Sequence, residues 1–247
     1  MFTIARFTLV RIFEPAFLFL TAFGLVISYV TGGNQSIGSI INDTGAGNLD
    51  MATNILLILS AIIGIFIGSS EIPRDLHTRM ITILLSKPIS RQKYVIGRFL
   101  GSWALVTILY VTWTVALGVI KYMNMPDLFN GQYFMINFLY IFSLAPICAI
   151  AIAVSTFLDD VPSMIVSFML LSLSFIIGSI PIIIKVFPSA ELGKVLLLFY
   201  YLLPNSTYLF KPFDAPYQVY AYLCFALSLS AIILKIGILH FNEKDLV

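Results

Sequence analysis

Charge is what this sequence has least of. Asp, Glu, Lys and Arg make up 11% of its residues and hydrophobic types 60%, where a water-soluble domain carries roughly 25% charged residues. Such a chain has too little polar surface to wrap a single water-facing core. Most of its exterior must be apolar, which puts it in the membrane class. A net charge of +2 gives no reason to expect a nucleic-acid partner. Cysteine is nearly missing: Cys148 and Cys224 lie in apolar runs, with no CxxC, disulfide framework or zinc spacing. No G-x-x-x-x-G-K-[ST] occurs, so the chain has no P-loop to cradle nucleotide phosphates. Ionisable residues are also absent from the middle of every long apolar run. That argues against a proton- or sodium-coupled carrier, and equally against an intramembrane hydrolase or metalloenzyme.

What the sequence does have is long apolar runs. They fall at roughly 15–31, 52–70, 99–120, 134–157, 162–186 and 217–239, each near the ~20 residues that a bilayer core requires. The expected fold is all-α: a polytopic membrane protein with six transmembrane helices in one domain over residues 1–247. The first run follows Arg6 and Arg11 without an A-x-A cleavage pattern after it, and is read as a retained helix. Orientation follows from the cations. One side holds Arg6, Arg11, Arg74, Arg79, Lys87, Arg91, Lys93, Arg98, Lys235 and Lys244; the other holds Lys121, Lys185, Lys194 and Lys211. This imbalance puts both termini and the segment around residues 71–98 in the cytoplasm. Residues 191–203 are apolar but too short to cross, and read as an outer interfacial helix or a re-entrant hairpin.

The segment between the second and third runs has its own pattern. Over residues 74–86, Arg74, Asp75, Thr78, Arg79, Thr82 and Ser86 share an arc of about 140° on a helical wheel. Leu76, Met80, Ile81, Ile83 and Leu84 fill the opposite side. Lys87-Pro88 then ends the helix, because a residue before proline resists the helical region. Ser90 is a good N-cap for a new helix through Arg91, Lys93, Tyr94 and Arg98. The layout is a short two-faced helix, a proline corner and a basic elbow. Simple positive-inside anchoring accounts for the cations. It does not account for the two-faced helix, which suits a lipid surface or a groove on a partner. A second amphipathic stretch, residues 2–14, reads as an interfacial helix ahead of Pro15.

These residues carry a family resemblance. An acidic residue (Glu71 or Asp75), Leu84-Leu85, Pro88-Ile89-Ser90-Arg91 and Gly97-Arg98 resemble the cytoplasmic loop of type-2 ABC transporter permeases. They are most similar to the branch that includes multi-copper-enzyme and nitrous-oxide-reductase maturation permeases. The resemblance implies a permease subunit, an exporter by its family, in a prokaryotic inner membrane. It also implies a separate ATPase subunit carrying ATP and Mg, no cofactor in this chain, and pairing with a second permease chain. The 74–86 helix would then be the coupling helix, with Arg74, Asp75, Thr78, Arg79 and Thr82 facing the ATPase and Pro88, Ser90, Arg91 and Arg98 forming the elbow beside it.

Asp159 and Asp160, ahead of Pro162, suit a helix start and alternatively a second ATPase contact. Met123 and Met125 form a thioether pair that suits packing better than Cu(I). His77 and His240 stand alone, and no catalytic triad or metal set appears. The sequence leaves two rival readings, a non-transporting scaffold that docks a soluble partner and an ion-coupled carrier. Reversing the charge of Arg74 and Arg79 together to Glu is expected to weaken ATPase binding while membrane insertion stays intact. Co-purification with the ATPase, unchanged, would count against the coupling-helix assignment.

Overall fold

The computed structural model describes residues 20–26, 45–78, 90–124, 131–178 and 216–243. Every regular element among them is helical. We number these α1 (residues 20–26), α2 (Gly45–His77), α3 (Arg91–Asn124), α4 (Gly131–Phe157), α5 (Asp160–Gly178) and α6 (Pro216–Glu243). Among the described residues four segments are long and apolar enough to cross a membrane: Thr53–His77, Arg91–Ile120, Tyr133–Phe157 and Leu223–Glu243. Asp160–Leu173 of α5 is a shorter apolar stretch. The interfacial helix expected at 2–14 and the apolar segment 191–203 lie outside the described residues.

Contacts fix the helix directions. Tyr94 and Arg98, near the start of α3, meet Asp75 and Glu71 near the end of α2, so these two helices run antiparallel. The Tyr110 hydroxyl donates to Asn137 Oδ1 at 2.7 Å and the Tyr133 hydroxyl to the Thr114 carbonyl at 2.8 Å, so α3 and α4 are antiparallel as well. Tyr140 bonds Asn54 at 3.1 Å and Phe157 stacks on His240, which aligns α4 with both α2 and α6. α2, α4 and α6 therefore end at the same end of the bundle, where α3 begins. We call this the charged end. Helix α4 is the central member, packed on α2, α3, α5 and α6.

These helices are apolar on all sides, so burial is decided by shape and polarity rather than by hydrophobicity. On α3, Tyr94, Leu105, Leu109, Tyr110, Trp113 and Leu117 face inward, while Ile108, Val111, Val115 and Val119 face out. The inward side chains include those with polar tips, and these tips find partners on neighbouring helices. The Trp103 indole donates to the Ile141 carbonyl and that of Trp113 to the Thr21 carbonyl. Each interhelical bond of this kind is worth only ~0.6 kcal/mol in a membrane, so they align the helices more than they hold them.

Small residues bring the backbones together. Gly64 and Gly68 form a G-x-x-x-G on α2 that lies against Cys148 and Ala151 of α4. A Cβ placed on Gly68 would stand 2.7 Å from the Ala151 Cβ, and one on Gly237 of α6 would stand 2.9 Å from the Ala153 Cα. Both are closer than real Cβ contacts, so α4 meets its two codirectional neighbours through glycine. Gly68→Leu is expected to force α2 from α4 and cost about 1–3 kcal/mol or more. Gly68→Ala should cost less. Thermal unfolding in detergent ranks the pair, and equal melting temperatures for Gly68→Leu and the parent chain would contradict this packing.

Candidate functional site

The site is built at the charged end, beginning with the tail of α2. The sequence suggested a helix ending near residue 70 and a new one starting at 74. Instead, α2 continues through Pro73 to His77. Pro73 lacks the N–H that would bond the Ser69 carbonyl, yet such a loss is tolerated in membrane helices whose neighbours hold them. Continuity matters because it puts Glu71 and Asp75 one turn apart on a single face. The Arg74 carbonyl accepts both the Thr78 N–H at 3.0 Å and the Thr78 hydroxyl at 2.9 Å, closing the last turn.

Helix α3 starts at the expected place. The Ser90 carbonyl accepts the Tyr94 N–H at 3.2 Å and the Ser90 hydroxyl accepts the Lys93 N–H at 3.4 Å, the pattern of an N-cap. From this cap, Arg91, Tyr94 and Arg98 fall at i, i+3 and i+7 on one face.

That face makes a buried charge cluster. Arg98 Nη1 bonds Glu71 Oε2 at 2.7 Å, and Arg98 Nη2 bonds Asp75 Oδ2. The Tyr94 hydroxyl donates to the same Asp75 oxygen at 2.5 Å. The side chains of Arg98, Glu71 and Asp75 are only 6%, 1% and 7% exposed. Charges removed from water to this degree persist only when paired and hydrogen-bonded. The forked guanidinium meets that need with one nitrogen for each carboxylate, a geometry no lysine reproduces. The cluster thus fixes the axial register of α2 against α3 immediately beside the segment that joins them.

The same face also reaches α6. Arg91 Nη1 donates to the carbonyls of Phe241 at 3.1 Å and Asn242 at 3.0 Å. The Tyr94 ring stacks on Phe241, with centroids 5.7 Å apart and planes at 22°. Next to Phe241 on α6, His240 lies flat on Phe157 at the end of α4, centroids 3.9 Å apart.

The residues singled out in the sequence therefore divide. Arg74 and Thr78 are exposed at the end of α2. Asp75 was expected to face the partner ATPase, and this is corrected: it is buried against Arg98, a residue expected in an exposed basic elbow, because a continuous α2 turns Asp75 toward α3 rather than toward solvent. Arg91 is half-buried and turned toward α6. Arg79, Thr82 and Pro88 lie outside the described residues. Asp159 is exposed, and its carbonyl accepts the Ser163 N–H at 2.9 Å, which makes it the N-cap of α5; Asp160 follows, half-buried. Met123 is exposed and Met125 lies outside the described residues. The sequence reading left Glu71 and Asp75 as alternatives for one acidic role. The structure uses both, and Tyr94 was missed as their partner. The available signal was two acids spaced i, i+4 and an arginine early in the next helix.

A comparison with protein-family models matches residues 17–246 to the family described as ABC-2 family transporter protein. No match was found among curated proteins.

The cluster makes a specific demand on stability. Arg98→Met should cost about 3–5 kcal/mol, because it leaves two buried carboxylates without their cation. Neutralising the whole cluster with Glu71→Gln, Asp75→Asn and Arg98→Met should recover much of that loss. Tyr94→Phe should cost less, about 1–3 kcal/mol, for one acceptor left short of a donor. Melting temperatures of the purified variants test the order, and a triple variant no more stable than Arg98→Met alone would contradict it.

Proposed function

This chain belongs to the ABC-2 family of transporter proteins, and on that premise we propose that it is the membrane-spanning permease subunit of an ABC transporter. In this reading the chain crosses the membrane six times, with the charged end in the cytoplasm. A separate ATPase subunit binds ATP and Mg there, and a second permease chain completes the pathway. ATP binding moves the segment between α2 and α3, and the movement drives cargo outward. The largely uncharged spans favour a lipidic or amphipathic passenger.

The observation that carries this reading is the buried Glu71–Asp75–Arg98–Tyr94 cluster. A push on a connection between two helices does useful work only if the helices beside it cannot slip. Without the cluster the connecting segment would flex and the push would dissipate. With it, α2 and α3 respond as one rigid pair. The cationic excess on this side suits a cytoplasmic position. Exposed Arg74 and Thr78 supply polar contacts at the tip of the pair.

The test is ATP hydrolysis by the cognate ATPase reconstituted in lipid with and without this chain. The expected result is a rate that changes on assembly and rises several-fold with transported cargo. A scaffold would bind the ATPase and leave the rate insensitive to cargo. Arg98→Lys is expected to bind the ATPase normally but lose most of the cargo-stimulated rate, since a lysine holds one carboxylate at a time.

A further inference from the structure

Resting on the permease reading, we propose that Arg91 is a positioning residue that fastens the end of α6 to the α3 elbow, so that a movement imposed there passes to α6 as well as to α2 and α3. This pairing joins residues 150 and 151 positions apart, through backbone carbonyls that no sequence pattern marks.

The argument starts from the end of a helix. The last four carbonyls of any α-helix have no intrahelical donor, and they carry the negative end of its dipole. In α6, which ends at Glu243, the Phe241 and Asn242 carbonyls are two of these. Arg91 supplies both the hydrogen bonds and the positive charge, from the first turn of another helix. An interior C-cap usually comes from the chain that follows; here it comes from the elbow. The contact is backed one turn along α3, where the Tyr94 ring lies on Phe241. Tyr94 in turn gives its hydroxyl to Asp75 of α2. One face of α3, through Arg91, Tyr94 and Arg98, thus grips α6 and α2 together. Helix α6 is the most outward of the four long apolar helices, with 22% of its apolar window buried against 72% for α4. It packs along α4, most closely at Gly237, with Ala226, Ser230 and Leu234 buried, and Arg91 adds a tie from its last turn to α3.

Spin labels read this directly in the full chain reconstituted in lipid nanodiscs, with exposed Cys224 replaced by serine. Labels at the exposed positions Gln92 and Asn242 report the fastening. A label at exposed Phe134, at the opposite end of α4, serves as the reference for movement of either. Without ATPase, the 92–242 distance is expected to be narrow in the parent chain, broad in Arg91→Gln, and narrow again in Arg91→Lys. With the cognate ATPase and ATP, the 92–134 and 242–134 distances should both change in the parent chain. In Arg91→Gln only the first should change. An Arg91→Gln chain whose 92–242 distribution matches the parent, or whose 242–134 distance still follows nucleotide, overturns the proposal. If neither distance responds to nucleotide in the parent chain, it is the ATPase-coupled function that fails, and the fastening is then decided by the 92–242 widths alone.

Discussion

One guanidinium holding two carboxylates is the constraint on which the charged end of this protein depends. Glu71, Asp75 and Arg98 belong to segments otherwise apolar enough to lie in a membrane, and each alone would be expensive to bury. Together they are tolerable in only one arrangement, with α2 and α3 in a single register. Sliding either helix by one turn would leave at least one charge unanswered. Hydrophobic packing cannot impose this, since one leucine against lipid or protein is nearly as content as another. The polar cluster is what makes a definite geometry out of two greasy helices.

The rest of the bundle uses the opposite device. Where Gly64 and Gly68 of α2 and Gly237 of α6 meet α4, the contacts are between small residues at close range, glycine against Cys148, Ala151 and Ala153. Dispersion between closely approaching backbones holds these seams. The charged end is therefore specified by electrostatics and the middle by shape. The opposite end is aligned by tyrosine and asparagine hydrogen bonds such as Tyr110 to Asn137.

Much of this was legible in the sequence, and the reasons are physical. Long apolar runs with few charges admit only helices in a bilayer, so the all-helical architecture followed from composition. The start of α3 was legible because Ser90 satisfies a local rule that needs no tertiary information. The tail of α2 was misjudged for the converse reason. Pro73 and the amphipathic wheel of residues 74–86 are local signals for a break, and tertiary contacts outweighed them. Treating Asp75 as partner-facing followed from the helical wheel of residues 74–86, which is sound for an isolated helix and fails where the neighbouring Arg98 supplies the countercharge. The link from Arg91 to α6 was out of reach altogether, because backbone carbonyls have no sequence signature.

Tyr94 serves two masters with two different parts of one side chain: the ring for Phe241, the hydroxyl for Asp75. The flat ring and the hydroxyl at its far end are both used here. Phenylalanine keeps the plate and forfeits the donor; glutamine does the reverse. Over evolutionary time such a position is not free to drift alone. A lineage that exchanges this tyrosine has to alter its acidic neighbour on α2 within the same short span of substitutions, so the two sites should carry a shared history.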